Sequence, residues 1–222
     1  SSPNRGLDHL LAIWPDVRAA VPDATLDVGY DWTIFRHQYP AWASDLEERM
    51  RTLPGVTYRG GLSHGALHDL LRSAGVLSYP CSYWEVFNIL TVKAAAAGCW
   101  PVTVRVGSVP EVVLTGDMIA GIDWSQWPGG EPPHEAVLWE QDGRMEPGKT
   151  DRSDLYGLRD EFTARYKDAL IRRLLNPPTA AERAAMRETV IERFSWDRTA
   201  ARFEEILFGS DLTGRKDAPC PG

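Results

Sequence analysis

The 222-residue sequence lacks the features that mark secreted and membrane-spanning proteins. It has three cysteines, an odd number without metal-type spacing, so we expect reduced thiols rather than a disulfide framework. It has no charged start followed by an apolar stretch, and no run of about 18 apolar residues. These absences predict no signal peptide and no transmembrane segment, and we expect a cytoplasmic protein.

Positive charge is also scarce. Lysine and arginine total 24 against 31 aspartates and glutamates, which gives a formal net charge of -7. A general nucleic-acid surface needs a clustered excess of Lys and Arg, so we expect no nucleic-acid partner. A small basic pocket for a phosphate group remains compatible with this balance.

Motifs for metal binding and for nucleophilic catalysis are missing as well. The five histidines include one pair at helical spacing, His64 and His68, but no third ligand is near in the sequence. No G-x-S-x-G, P-loop or C-x-x-C element occurs. The sequence therefore predicts no metal site.

What the sequence does contain is an alternation of helix and strand patterns. Helical patterns cover 7–21, 41–53, 64–74 and 87–98, and strand patterns cover 24–30, 55–60, 75–80 and 100–106. Ser63 is the predicted N-cap of the third helix, and Pro15 either kinks the first helix or opens a second one. This order predicts an α/β fold in three layers, with a parallel sheet between two layers of helices.

The character changes after the last of these strands. Residues 124–157 are rich in glycine and proline without a sustained period, which predicts a loop excursion. Three helical patterns follow, over 158–174, 179–192 and from a cap at Ser195 onward. We expect a single domain over 1–208 and a flexible tail over 209–222.

One acidic residue stands where such folds bind ligands, at the carboxyl end of a strand. Glu85 follows the strand that ends at Pro80 and precedes a helix start at Phe87, Asn88 and Ile89. The free amides of a helix start bind anions such as phosphate. A carboxylate beside them suits a sugar attached to that phosphate, although Glu85 could instead simply cap the helix.

The stretch "PCSYWEVFNILTVKAAAAGCWPVTVRVGSVPEVV" (80–113) resembles the donor-binding signature of retaining GT-B glycosyltransferases of the glycosyl transferases group 1 type. That signature is an E-x(7)-E pattern followed by an alanine-rich helix that ends on glycine. The first thirty residues resemble the opening of the family's second Rossmann-like domain, and "FSWDRTAARFEEIL" (194–207) resembles its closing Trp-bearing helix. The likeness covers about 1–123 and 158–208.

The resemblance implies a Rossmann-like domain, the second of a GT-B fold. It implies the donor-binding half of a glycosyltransferase that moves a sugar from a nucleotide-diphosphate sugar, with retention, to an unknown acceptor. It implies no metal and no cofactor beyond the donor substrate. It also implies a partner, either an acceptor-binding N-terminal domain or another chain.

The family's site residues are transferred only to matching positions. Glu85 matches the glutamate that faces the donor sugar and is the expected catalytic residue. The expected contacts with the diphosphate are the Arg5 cation with Gly6 and the amides of Phe87, Asn88 and Ile89, where Asn88 stands in place of a usual glycine.

Two further expectations concern the nucleoside. The base is expected against the loop after strand 55–60, near Tyr58, Arg59 and Gly60. Lys93 occupies the position of the second glutamate, which accepts hydrogen bonds from the ribose. An ammonium group cannot accept hydrogen bonds, so Lys93 either binds a phosphate, accompanies a different ribose contact, or marks a loss of donor binding.

Two alternatives to transfer remain open. One is a degenerate, non-catalytic binding or structural domain of GT-B origin, which Lys93 favours. The other is a GT-B-fold nucleotide-sugar epimerase, which would not predict the "E-V-F…A-A-G" run.

Overall fold

The computed structural model of the chain describes residues 5–81, 86–105, 107–120 and 159–209. The helices of these ranges are α1 (Leu7–Ala20), α2 (Thr33–Gln38), α3 (Pro40–Thr52), α4 (His64–Ser73), α5 (Ile89–Ala97), α6 (Val109–Val112), α7 (Arg159–Leu175), α8 (Ala180–Phe194) and α9 (Trp196–Phe208). The strands are β1 (Leu26–Gly29), β2 (Val56–Gly60), β3 (Val76–Tyr79), β4 (Trp100–Arg105) and β5 (Asp117–Ala120). Glu85, the whole predicted excursion over 124–157 and nearly all of the tail lie outside the described residues.

All strand pairs of the described ranges are parallel, which confirms the predicted α/β class. β1 pairs with β2, and β3, β4 and β5 pair in that order. Leu26 lies opposite Val56 in the first sheet, and Val76 lies opposite Trp100 in the second. The sequence predicted a single sheet, whereas the described strands form two, with β1 and β3 as the edges that are not paired with each other.

Helix α1 contributes to two of the hydrophobic clusters of the described residues. Leu10, Trp14 and Val17 are buried in one cluster with side chains of β4, whereas Leu11 is buried in a separate cluster with a side chain of β1. This spacing of three and four residues places them along one broad face. The helix continues through Pro15, so the proline does not open a second helix.

Strand β4 forms the centre of the second sheet. Its first five residues are buried, as expected for a parallel strand covered on both faces. Helix α5 lies next to it through Ala94 and Ala95, whose small side chains permit a close approach. Gly98 then ends the helix with a left-handed backbone (φ 82°), which favours glycine.

The three final helices confirm the predicted pattern but differ in packing. In α7 the buried Tyr166 donates a hydrogen bond to the Val102 carbonyl (2.9 Å) and shares another with Ser78 Oγ (2.8 Å). α8 buries Met186 and Val190. α9 begins at its predicted cap, where Ser195 Oγ accepts from the Arg198 amide, yet none of its side chains is buried.

Candidate functional site

The start of α1 packs against the carboxyl end of β3. Gly6 precedes α1 with a left-handed backbone (φ 79°), and a Cβ atom there would lie 2.0 Å from the Pro80 carbonyl oxygen. No side chain fits in that space. Glycine at this position is therefore required for the close approach of α1 to the strand end, and it places Arg5 beside β3.

Arg5 is held by a hydrogen bond to the last residue of β3. Its Nη1 donates to the Tyr79 hydroxyl oxygen at 2.8 Å. Burial, followed by the neighbouring Cys81, raises the pKa of the Tyr79 hydroxyl well above its ordinary value. Tyr79 therefore stays protonated and neutral at physiological pH. The Arg5 guanidinium is charged, rigid and planar, and it carries further N–H donors besides the one that bonds to Tyr79.

The start of α5 is the second part of the site. Asn88 is its N-cap, and its Oδ1 accepts a hydrogen bond from the Thr91 amide at 3.1 Å. The Ile89 amide donates to the Phe87 carbonyl at 3.1 Å. Of the three amides expected to bind phosphate, that of Ile89 is therefore already engaged. Leu90 is the next residue of the first turn, and its amide has no backbone acceptor in the described part of the chain.

Buried polar atoms without a partner gather on the elements around this strand end. Within the described ranges, Thr103 Oγ1 and Ser108 Oγ lack a hydrogen-bond partner. Thr103 lies opposite Tyr79 in the β3–β4 ladder, and Ser108 follows the carboxyl end of β4. Since buried polar atoms are normally paired, these atoms are candidates for contacts with a polar ligand or water.

The remaining predicted residues at the start of α5 and along it face outward. Phe87 is 46% exposed, and its ring packs edge-on against Phe194 at 5.9 Å between centroids. Ile89 is exposed at the first position of the helix, and Lys93 is exposed one turn later on the same face. Lys93 makes no ion pair with another described residue, so its ammonium group is open to a ligand or to solvent.

The residues expected at the base lie on the outer strand, β2. The Tyr58 hydroxyl donates to the Tyr30 carbonyl at 2.8 Å, and burial raises the pKa of Tyr58. Arg59 Nε pairs with the Asp27 carboxylate at 2.7 Å. Gly60 has a left-handed backbone (φ 69°) with open space around it. These residues are separated from Arg5 by β1, so the structure does not bring the two predicted groups into contact.

An aromatic cluster next to this group escaped the sequence prediction. It surrounds Trp32, whose ring meets Phe35 at 5.1 Å and Tyr58 at 6.1 Å between centroids, both edge-on. The Trp32 side chain is buried, and its Nε1 has no acceptor among the described residues. The signal in the sequence is the density of aromatic residues over 30–42, where Trp32, Phe35 and Tyr39 lie between the predicted strand 24–30 and the predicted helix 41–53.

Two further observations concern metals and membranes. In the ranges that the structure describes, no three His, Cys, Asp or Glu side chains converge as metal ligands. No described helix combines the length and apolar character needed to cross a bilayer.

Comparison with known proteins adds a family to this geometry. A family model described as "Glycosyl transferases group 1" matches residues 1–124, more than half of the chain. The matched range contains α1, the two sheets and the start of α5, and therefore both predicted groups of binding residues.

Individual relatives point the same way. The glycogen synthase of Mycobacterium tuberculosis is 24% identical over 217 residues, which are 97% of this chain and 42% of that protein. The D-inositol 3-phosphate glycosyltransferase of Mycobacterium bovis is 36% identical over 75 residues, 32% of this chain and 15% of that protein. The chain thus spans less than half the length of the curated relatives it matches.

Proposed function

The chain belongs to the group 1 glycosyl transferases, which transfer a sugar from a donor, and we propose that it is the part that binds a nucleotide-diphosphate sugar. The observation that carries the proposal is the hydrogen bond from Arg5 to Tyr79. Tyr79 lies at the end of β3, the strand that precedes α5. A guanidinium close to a helix N-terminus supplies a cation and backbone donors for the same diphosphate.

The unpaired atoms around β3 support a polar ligand rather than an apolar one. Ser108 Oγ and Thr103 Oγ1 are each both donor and acceptor, which suits phosphate oxygens and sugar hydroxyls. Because Ile89 N is engaged, we assign the diphosphate to the amides of Phe87, Asn88 and Leu90. Glu85 keeps its proposed role at the donor sugar, with retention as the expected outcome and no cofactor besides the donor.

A partner domain is part of the proposal. Transfer requires an acceptor, and we assign its binding to an N-terminal domain of the same polypeptide or to another chain. The apolar residues exposed at and just before the start of α5 and on α9 support such a partner. These are Val86, Phe87, Ile89, Trp196, Phe203, Ile206, Leu207 and Phe208.

The second candidate is a domain that binds donor without transferring it. Lys93 favours this function, since it stands exposed where the family pattern has a hydrogen-bond acceptor for the ribose. Binding without any transfer by the complete assembly would support it. A failure to bind nucleotides at all would contradict both candidates.

The test is calorimetric titration with UDP, ADP and GDP. Each charge-assisted phosphate contact contributes about 1.5–3 kcal/mol, so Arg5→Ala should weaken binding of the preferred diphosphate about tenfold or more. The matched control is Arg51→Ala, since Arg51 pairs with Glu48 on the exposed surface of α3. Equal affinity of the Arg5→Ala variant and the unsubstituted chain would reject the assignment of the diphosphate to Arg5.

A further inference from the structure

The hydroxyl of Tyr79 connects the two parts of the candidate site. It accepts a hydrogen bond from Arg5 Nη1 at 2.8 Å, from the residue just before α1. Burial raises the pKa of the Tyr79 hydroxyl, whereas the Arg5 charge and a hydrogen bond from the side chain of Asn88 oppose that rise. Asn88 is the N-cap of α5. A single oxygen atom therefore links the start of α1 to the start of α5.

The alternation of side chains along β3 explains this position. Ser78 shares a hydrogen bond with Tyr166 of α7, on one face of the sheet. Leu77 packs in a cluster with Leu90 of α5, on the other face. Since side chains two residues apart in a strand share a face, Tyr79 projects on the same face as Leu77, toward the helix that Asn88 caps.

The hydrogen bonds of the Tyr79 hydroxyl use its full capacity. A phenolic oxygen accepts hydrogen bonds and has a single proton to donate. With Arg5 and Asn88 as donors, that proton is left for Cys81, the other side chain hydrogen-bonded to Tyr79. Cys81 is buried and carries a free thiol. The hydroxyl is thus held in one orientation from three sides.

A neutral acceptor suits an arginine that has to bind an anion. A carboxylate also orients a guanidinium but offsets its charge, as Asp27 does for Arg59 on the neighbouring sheet. Tyr79 remains protonated, because burial raises its pKa far above the physiological range. The bond from Arg5 to Tyr79 therefore fixes the guanidinium without neutralising it, and a side chain that is ordered beforehand loses less entropy when a ligand binds.

We propose that Tyr79 is a positioning residue for the diphosphate, which holds the Arg5 guanidinium in the orientation that binds phosphate oxygens. Tyr79 acts through Arg5 rather than by contact with the ligand. This role rests on the proposed binding of a nucleoside diphosphate at the site, and the experiment separates the two.

Calorimetric titration of four forms of the chain tests the role. The ligand is UDP, ADP or GDP, whichever the unsubstituted chain binds most tightly, and the other forms are Tyr79→Phe, Arg5→Ala and the double variant. We expect Tyr79→Phe to bind the diphosphate about fivefold more weakly, because the guanidinium loses its fixed orientation. Added to Arg5→Ala, the same substitution should weaken binding by no more than about twofold, since no guanidinium is left to orient.

The matched control is Tyr166→Phe. It removes another buried hydroxyl next to β3, one that bonds to the Val102 carbonyl and to Ser78. Chemical denaturation should show a loss of stability in both tyrosine variants, whereas only Tyr79→Phe should lose affinity for the diphosphate.

A measurement on the unsubstituted chain tests the same role if Tyr79→Phe does not fold. NMR signals of the guanidinium nitrogens report rotation about the Nε–Cζ bond. We expect this rotation to be about tenfold slower in Arg5 than in the exposed Arg172, because a hydrogen bond to Nη1 has to break first. Equally fast rotation in both residues would overturn the role of Tyr79.

The titrations have their own contrary results. Unchanged affinity of Tyr79→Phe, with Arg5→Ala about tenfold weaker, would reject the role of Tyr79 and leave the binding of the diphosphate to Arg5 intact. Losses that multiply in the double variant would show that Tyr79 acts independently of Arg5, and equal losses in Tyr79→Phe and Tyr166→Phe would show a role in the fold alone. A lack of diphosphate binding by the unsubstituted chain would reject the nucleotide-binding function and this role with it.

Discussion

At the scale of single residues, two hydrogen bonds at helix starts differ in what determines them. Ser63 caps α4 as predicted, accepting from the Ala66 amide, because an N-cap is a local property of three or four residues. The engagement of the Ile89 amide with Phe87 was not predictable in this way. It depends on the exact path of the chain into α5, which the tertiary packing decides.

Two glycines with similar backbone angles offer a matched test of the close approach at the site. Gly6→Ala and Gly60→Ala both place a side chain in the left-handed region, which costs about 1–2 kcal/mol. At Gly6 the new Cβ would also meet the Pro80 carbonyl, whereas nothing lies near it at Gly60. We expect Gly6→Ala to lower the free energy of unfolding by about 1–3 kcal/mol more than Gly60→Ala.

Chemical denaturation of the two variants measures this difference. Equal losses would mean that α1 can move away from β3 without cost. The contact between Gly6 and Pro80 would then not be what positions Arg5.

At the scale of elements, the hydrophobic pattern predicted most helices and strands to within a few residues. Strands 24–30 and 75–80 were predicted where β1 and β3 lie. The short elements α2, α6 and β5 were missed. Such elements contain too few residues for a repeating hydrophobic pattern to be recognised, and their neighbours rather than their own composition stabilise them.

The N-terminus of α8 makes a prediction about pH. Thr179 and Glu182 form a capping box in which the Glu182 carboxylate accepts from the Thr179 amide at 2.7 Å. This backbone hydrogen bond, with that of the Thr179 hydroxyl, lowers the pKa of Glu182 below its ordinary value. A lowered pKa in the folded state means stability that is present above the unfolded pKa and lost as the pH falls.

We therefore expect Glu182→Ala to lower the melting temperature at pH 7, with a deficit that shrinks as the pH falls below about 4 through the lowered pKa of the carboxyl group. The matched control is Glu188→Ala, because Glu188 is exposed further along the same helix. Thermal unfolding followed by circular dichroism at several pH values checks both variants. A Glu182→Ala deficit that stays constant down to pH 2 would contradict the capping role.

At the scale of the whole molecule, the predicted parallel α/β class is confirmed, but the division into two sheets was not foreseen. Alternating patterns indicate which segments are strands, while strand neighbours are decided by contacts between distant residues. The same limit applies to the site. From the sequence, the start of α5 was expected after a strand end, and Arg5 was expected at the diphosphate through the family resemblance. The structure joins Arg5 to β3 through Tyr79, a contact across 74 residues.

Helix α9 was predicted correctly from its amphipathic pattern, but that pattern does not show what covers its apolar face. Trp196, Phe203 and Ile206 were expected on a helix, and they are 84%, 60% and 67% exposed in the structure. Met186 on the preceding helix, by contrast, is 1% exposed. Large apolar side chains exposed together on one helix are unusual for a surface that faces only water.

This contrast gives a pair of substitutions with opposite expected effects. Phe203→Lys replaces an exposed side chain, so we expect the free energy of unfolding to change by no more than about 0.5 kcal/mol. The same variant should bind less of the dye ANS, because an exposed apolar group is removed. Met186→Lys buries a charge in the core and should destabilise the fold by several kcal/mol. If Phe203→Lys destabilises the chain as much as Met186→Lys does, the apolar face of α9 is covered within this chain and offers no surface to a partner domain.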